Sequence, residues 1–142
     1  MNDIFTKEKR SDIMSKIRSK GTKLEFKGFE ILKKAKLNYR KYPKGIFGNP
    51  DAANKKRKIA IFFDSDFWHG FNYKLFQSKL KDPYWIEKIN KNIKRDKIVT
   101  RYLTKKGWKC IRLWEHDLIK KSEKCLEKII RLKEIRPSKK RL

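Results

Sequence analysis

The chain has 142 residues, 38% of them hydrophobic and 13% aromatic, which suits one domain with a buried core and argues against a disordered chain. Its 41 Lys+Arg against 16 Asp+Glu leave a formal net charge of +25; nucleic acid is the polyanion that best justifies such self-repulsion, though a ribosome or membrane surface would meet the same charge. Cys110 and Cys125 are too few and too far apart for a disulfide scaffold or a CxxC metal site, and the longest apolar run, "IAIFF", is too short to span a membrane.

The start, "MNDIFTKEKR", carries no apolar stretch of signal-peptide type, so a cytoplasmic protein is expected. A short helix is predicted over about 7–19 and another over 22–36, opened by the capping box Thr22-x-x-Glu25. "NYRKYPKGIFGNPD" reads as strand and turn, and "KIAIFF" (58–63) as a strand buried on both faces. A long helix runs from about Pro83, suited to a first turn, to Lys106, with Gly107 as its stop. "WKCIRLWE" (108–115) is a further strand and "SEKCLEKIIRLKEI" (122–135) a closing amphipathic helix. Helices interleaved with strands predict an α/β class, a small central sheet covered by helices. A single domain is expected over 1–136, with 137–142 as a loose basic tail.

Polar residues on apolar faces mark the chemistry. Trp85, Ile89, Asn92, Asp96, Val99 and Leu103 follow at helical spacings of three and four, so Asn92 and Asp96 interrupt a stripe that otherwise faces the core. A carboxylate there needs a cation; a lysine salt bridge and a working site both supply one. Glu25, among Leu24, Gly28, Phe29, Ile31 and Leu32, has the same two readings, because a capping-box Glu is useful without catalysis. Asp51 stands near a strand start, and the next strand delivers Asp64, Asp66 and His69 at its end. Acids on two adjacent strands commonly bind a divalent metal for phosphodiester cleavage, since Mg²⁺ takes a few carboxylate oxygens and keeps water. The usual Glu-x-Lys is absent from the second strand, so the base must come from elsewhere, and His69 titrates near neutrality.

In order, these residues resemble the very short patch repair (Vsr) endonuclease family over roughly residues 10–118. The likeness rests on "RSDIMSKIRSKGTKLE", Tyr39-Arg40, "GNPD" ending at Asp51, "FWH" at 67–69, "YWIEKINKNIKRD" and "GWKCIRLWEHDL". It implies a restriction-endonuclease-like (PD-(D/E)xK-type) fold, a mixed central sheet flanked by helices, with Mg²⁺ at one end. It further implies that Asp51 is the metal carboxylate, joined by the backbone carbonyl of Phe63, and that His69 is the base. Asp96 would orient His69, Glu25 would hold a water on the metal, and Asn92 would support the ligands from behind. Met14, Phe67 and Trp68 would form a wedge beside a T:G mismatch in double-stranded DNA, where weakened pairing lowers the cost of unstacking. The implied reaction nicks the T-containing strand 5′ of that T, on nucleoid DNA. A monomer is expected.

The sequence also departs from the family. Many relatives hold a zinc through Cys and His after "FWH" and a Cys after "WE"; here those places read Gly70, Phe71, Asn72, Tyr73 and His116, Asp117, and Asp66 replaces a Cys. No zinc is expected, with Phe71 and Tyr73 packing instead. Asp64 stands where a second histidine occurs, either adding charge to the metal site or capping the next loop. "PDAAN" is a weak strand, so a short or irregular sheet edge is expected. Two other functions fit the same residues: a Vsr-like homing or mobile-element endonuclease cutting unmismatched DNA, and a non-catalytic DNA-binding protein.

Overall fold

The computed structural model describes residues 23–66, 69–70 and 82–134. The predicted helix at 7–19, the basic tail, the proposed wedge of Met14, Phe67 and Trp68, and the packing expected of Phe71 and Tyr73 lie outside them. Helix α1 (Lys23–Lys34) precedes strands β1 (Arg40–Lys41), β2 (Ala52–Asn54) and β3 (Ile59–Asp64). Helix α2 (Pro83–Lys105), strand β4 (Lys109–Trp114), helix α3 (Glu115–Lys120) and helix α4 (Ser122–Glu134) follow. The sheet order is β1-β2-β3-β4, antiparallel up to β3 and parallel between β3 and β4. This is a mixed sheet flanked by helices.

Local chemistry accounts for the boundaries. Pro83 opens α2, and the Asp82 carboxylate accepts a hydrogen bond from the Tyr84 N–H at 3.0 Å, the cap that a helix N-terminus requires. Past its other end, Gly107 takes a φ of +89°, as the predicted stop requires. Helix α1 ends at Lys34, two residues early, and Lys36 then turns at a φ of +57°. The weak strand after Pro50 has only three residues, and the two-residue β1 forms the outer edge. Helix α3 was not predicted. It starts directly on β4, its first turn is polar, and Leu118 alone is buried.

All six residues of β3 are buried, so its alternation sorts two layers rather than inside from outside. Ile59, Ile61 and Phe63 join Ile31 and Leu32 of α1, Ile111 and Leu113 of β4, Leu118 and Ile129 in the larger core. Ala60 and Phe62 face the opposite way, with Val99 and Leu103 of α2. Each fully buried Ile or Leu contributes roughly 1.5–3 kcal/mol of burial. Asp64 continues the α2-facing row and is only 1% exposed. The sheet's period of two, carried to the strand end, puts a carboxylate under α2.

Candidate active site

The carboxyl-terminal end of β3, the turn before β2 and the middle of α2 enclose a cleft of about 280 Å³. Asp51, Phe63, Asp64, His69, Asn92 and Asp96 all line it, with Arg95 and Arg112. Two glycines make its walls possible. Gly48 has a φ of +90°, and a side chain there would meet Val99 of α2 at 2.4 Å. Gly70, at a φ of +76°, would likewise drive a Cβ to 2.5 Å from Ile93. Both turns therefore press against α2 only because they lack a Cβ, and the second sets the backbone beside His69.

Asp51 is anchored at both ends of its residue. Its N–H donates to the Ile61 carbonyl at 2.9 Å, and its carboxylate Oδ2 accepts from the Phe63 N–H at 2.7 Å. Burial nevertheless pushes this carboxyl up to about 6; the Phe63 hydrogen bond opposes the rise, and the negative charges of Glu25 and Asp64 add to it. A divalent cation would relieve that crowding, which is the chemistry expected of a metal carboxylate.

His69 is held by Asp96. Its Nδ1 lies 2.6 Å from Asp96 Oδ2, so Nδ1 carries the donated proton and Nε2 is the basic nitrogen. Nε2 stands 3.8 Å from Asp64 Oδ1. Burial alone would lower the imidazole's proton affinity, but the Asp96 hydrogen bond and the charges of Asp64 and Asp96 outweigh it and raise the pKa. Asp64, His69 and Asp96 bring possible ligand atoms within 4.8 Å of one another, a group able to take a metal ion.

Arg112 is the residue that sequence reasoning missed. Its Nη1 donates to both Asp64 oxygens at 3.0 and 3.1 Å and lies 3.5 Å from Asp96 Oδ1. The cation for Asp64 and Asp96 is thus a strand arginine, not one of the many lysines. A signal existed: Ile111 and Leu113 alternate into the larger core, so Arg112 between them must face α2. Asp64 is therefore paired with Arg112 across the sheet while its carboxylate stays in the group able to take a metal ion. Burial raises its proton affinity, with His69 and Arg112 opposing.

Glu25 sits beside the cleft rather than on its wall. It lies one helical turn before Phe29, whose ring stacks on Tyr39 at 5.7 Å and meets Tyr42 and Phe63 edge-on at 5.8 and 5.1 Å. That aromatic group fixes α1 against β1 and β3, and the Glu25 carboxylate accepts from the Tyr42 hydroxyl. Thr22, the other half of the predicted capping box, falls outside the described residues. Asp66, where a zinc-binding Cys is common, contacts His116 Nδ1 at 2.8 Å, and its N–H donates to Glu115 Oε1 at 3.1 Å.

A family model described as "DNA mismatch endonuclease Vsr" matches residues 2–75. A type II nicking enzyme of Neisseria meningitidis serogroup C, V.NmeDIP, is 40% identical over 129 residues, covering 89% of this chain and 87% of the relative. The chain belongs to the Vsr family. Another Vsr relative, the type II nicking enzyme V.HpaIIP of Haemophilus parainfluenzae, is 41% identical over 125 residues, 86% of this chain and 89% of its own. The DNA mismatch endonuclease Vsr of Escherichia coli K12 is 30% identical over 116 residues, 81% of this chain and 74% of its own. No helix among the described residues of this Vsr-family chain is long and apolar enough to cross a membrane.

Proposed function

We propose that this DNA endonuclease nicks the T-containing strand of duplex DNA, 5′ of the T in a T:G mismatch, with Mg²⁺ as cofactor. The observation that carries the reading is the His69–Asp96 pair at 2.6 Å, set in one cleft with a half-buried, anion-crowded Asp51. Asp51 and the Phe63 backbone would hold the metal, which would activate water and stabilise the departing oxygen. His69 Nε2 takes the proton from the attacking water, and Asp96 holds the ring in the tautomer that leaves Nε2 basic. Glu25 and Asn92 support the metal's surroundings without carrying the proton. Phe67, Trp68 and Met14 form the wedge, and the excess of lysine draws in the phosphate backbone. A nick consumes one water and leaves a phosphate and a hydroxyl end. The protein acts as a monomer, without zinc.

The test compares nicking of T:G and T:A duplexes in Mg²⁺ by the wild type and by His69→Ala. Selective nicking of T:G, lost in the variant, is expected. Equal cutting of both duplexes would replace mismatch repair by the homing-type reading, and tight binding without cutting would make the protein a non-catalytic DNA binder.

A further inference from the structure

We propose that Arg112 is a positioning residue of the nicking reaction: by holding Asp64 and Asp96 together it keeps His69 Nε2 available to the attacking water. This rests on the nuclease reading above. The guanidinium is held on every side. Nη1 spans the two Asp64 oxygens and reaches Asp96 Oδ1, Nη2 donates to the Asp96 backbone carbonyl at 3.5 Å, and Nε donates to Thr100 Oγ1 at 3.4 Å. Its carbon lies 4.3 Å over the Phe62 ring. Strand β3, strand β4 and helix α2 are thereby joined through one planar cation, a task suited to arginine's fork and not to a lysine's single ammonium.

Two consequences follow for His69. The Asp96 oxygens are divided, Oδ1 toward Arg112 and Oδ2 toward His69 Nδ1, so the arginine fixes the carboxylate that orients the ring. Asp64, meanwhile, is 1% exposed and stands 3.8 Å from Nε2. A buried carboxylate seeks the nearest cation. Deprived of Arg112, Asp64 would hold His69 in its doubly protonated form by accepting from Nε2–H, and the nitrogen needed by the water would be occupied. The same cation explains how a cleft with three nearby aspartates keeps its base directed at substrate.

The experiment measures single-turnover nicking and, separately in EDTA, DNA affinity for wild type, Arg112→Met, Arg112→Lys and Asp64→Asn/Arg112→Met. Arg112→Met is expected to slow nicking by about 100-fold while leaving DNA affinity within about threefold, the pattern of a lost positioning contact. The double variant removes the carboxylate that would capture Nε2 and should recover at least about tenfold of that loss, whereas lysine, with no second arm for the Asp96 carbonyl and Thr100, should recover less. Should Arg112→Met fail to fold, the double variant and Arg112→Lys carry the same comparison against wild type, with the double variant expected to be the faster. A double variant no faster than the single one, or a rate loss matched by lost DNA affinity, would overturn the proposal. Wild-type cutting of T:G against T:A judges the mismatch reading separately; if the paired duplex is cut, the same ratios are measured on it.

Discussion

Replacing Asp51 by asparagine should stabilise the metal-free protein in neutral solution while abolishing nicking. Burial, with Glu25 and Asp64 nearby, moves this carboxyl from the ordinary 3.8 to about 6 in the folded chain. At about 1.4 kcal/mol for each tenfold change in proton affinity, the folded anion costs about 3 kcal/mol, and partial solvent screening brings the measurable cost to roughly 1–2 kcal/mol. The sign follows from the raised value. Stability is full below 3.8, where the carboxyl is neutral in both states, and is lost as pH rises through about 6. Asparagine does not titrate, and its side-chain oxygen can still accept the Phe63 N–H. Urea unfolding in EDTA at several pH values from 4 to 7.5 should therefore show the variant gaining on wild type across that window and holding its lead above it. Added Mg²⁺ at pH 7.5 should stabilise the wild type and leave the variant unchanged. A gap independent of pH, or a variant that loses ground as pH rises, would refute the account of Asp51 as a crowded carboxylate awaiting a cation.

Further outcomes can be checked directly. His69→Ala and Asp96→Asn should each reduce single-turnover nicking by roughly 10²–10⁴-fold, with DNA affinity retained in a filter-binding or fluorescence assay. Because His69 is raised above its ordinary 6.5, the wild-type rate should still be climbing above that pH, and Asp96→Asn should move the rise to lower pH. Gly70→Ala combines an unfavourable φ with a clash against Ile93, so thermal melting should show a loss of about 1–3 kcal/mol and nicking should fall with it. Metal analysis of purified protein should find no stoichiometric zinc, and a bound equivalent would refute that expectation. Trp68→Ala should lower the ratio of T:G to T:A nicking more than it lowers DNA binding, read from paired duplexes.

The catalytic candidates were legible because they violate local patterns. Asn92 and Asp96 stand in an otherwise apolar helical stripe between Ile89 and Val99, and in the folded chain that stripe does face the sheet. His69 and Asp64 follow a strand whose apolar run was plain, and the cleft gathers them. Helix α3 was not legible, since its six residues bury one leucine and offer no helical period. Glu25 carried two readings because its capping signature is local; its contact with Tyr42, 17 residues away, belongs to the packing of α1 on the aromatic group around Phe29.

Arg112 and Asp64 mark the boundary between the two kinds of knowledge. Charge, motif order and periodicity sufficed to name the family's likeness, a polyanionic partner and most of the candidate residues that the cleft gathers, because each is written in spacings along the chain. Which charges meet is a different matter. Arg112 and Asp64 lie 48 residues apart, and they join only because β3 and β4 pair in parallel, with Phe62 opposite Arg112 and Asp64 opposite Trp114. Spacing along one strand can say which face a side chain takes. Only tertiary pairing decided that the arginine's face and the aspartate's face are the same one, beneath the same helix.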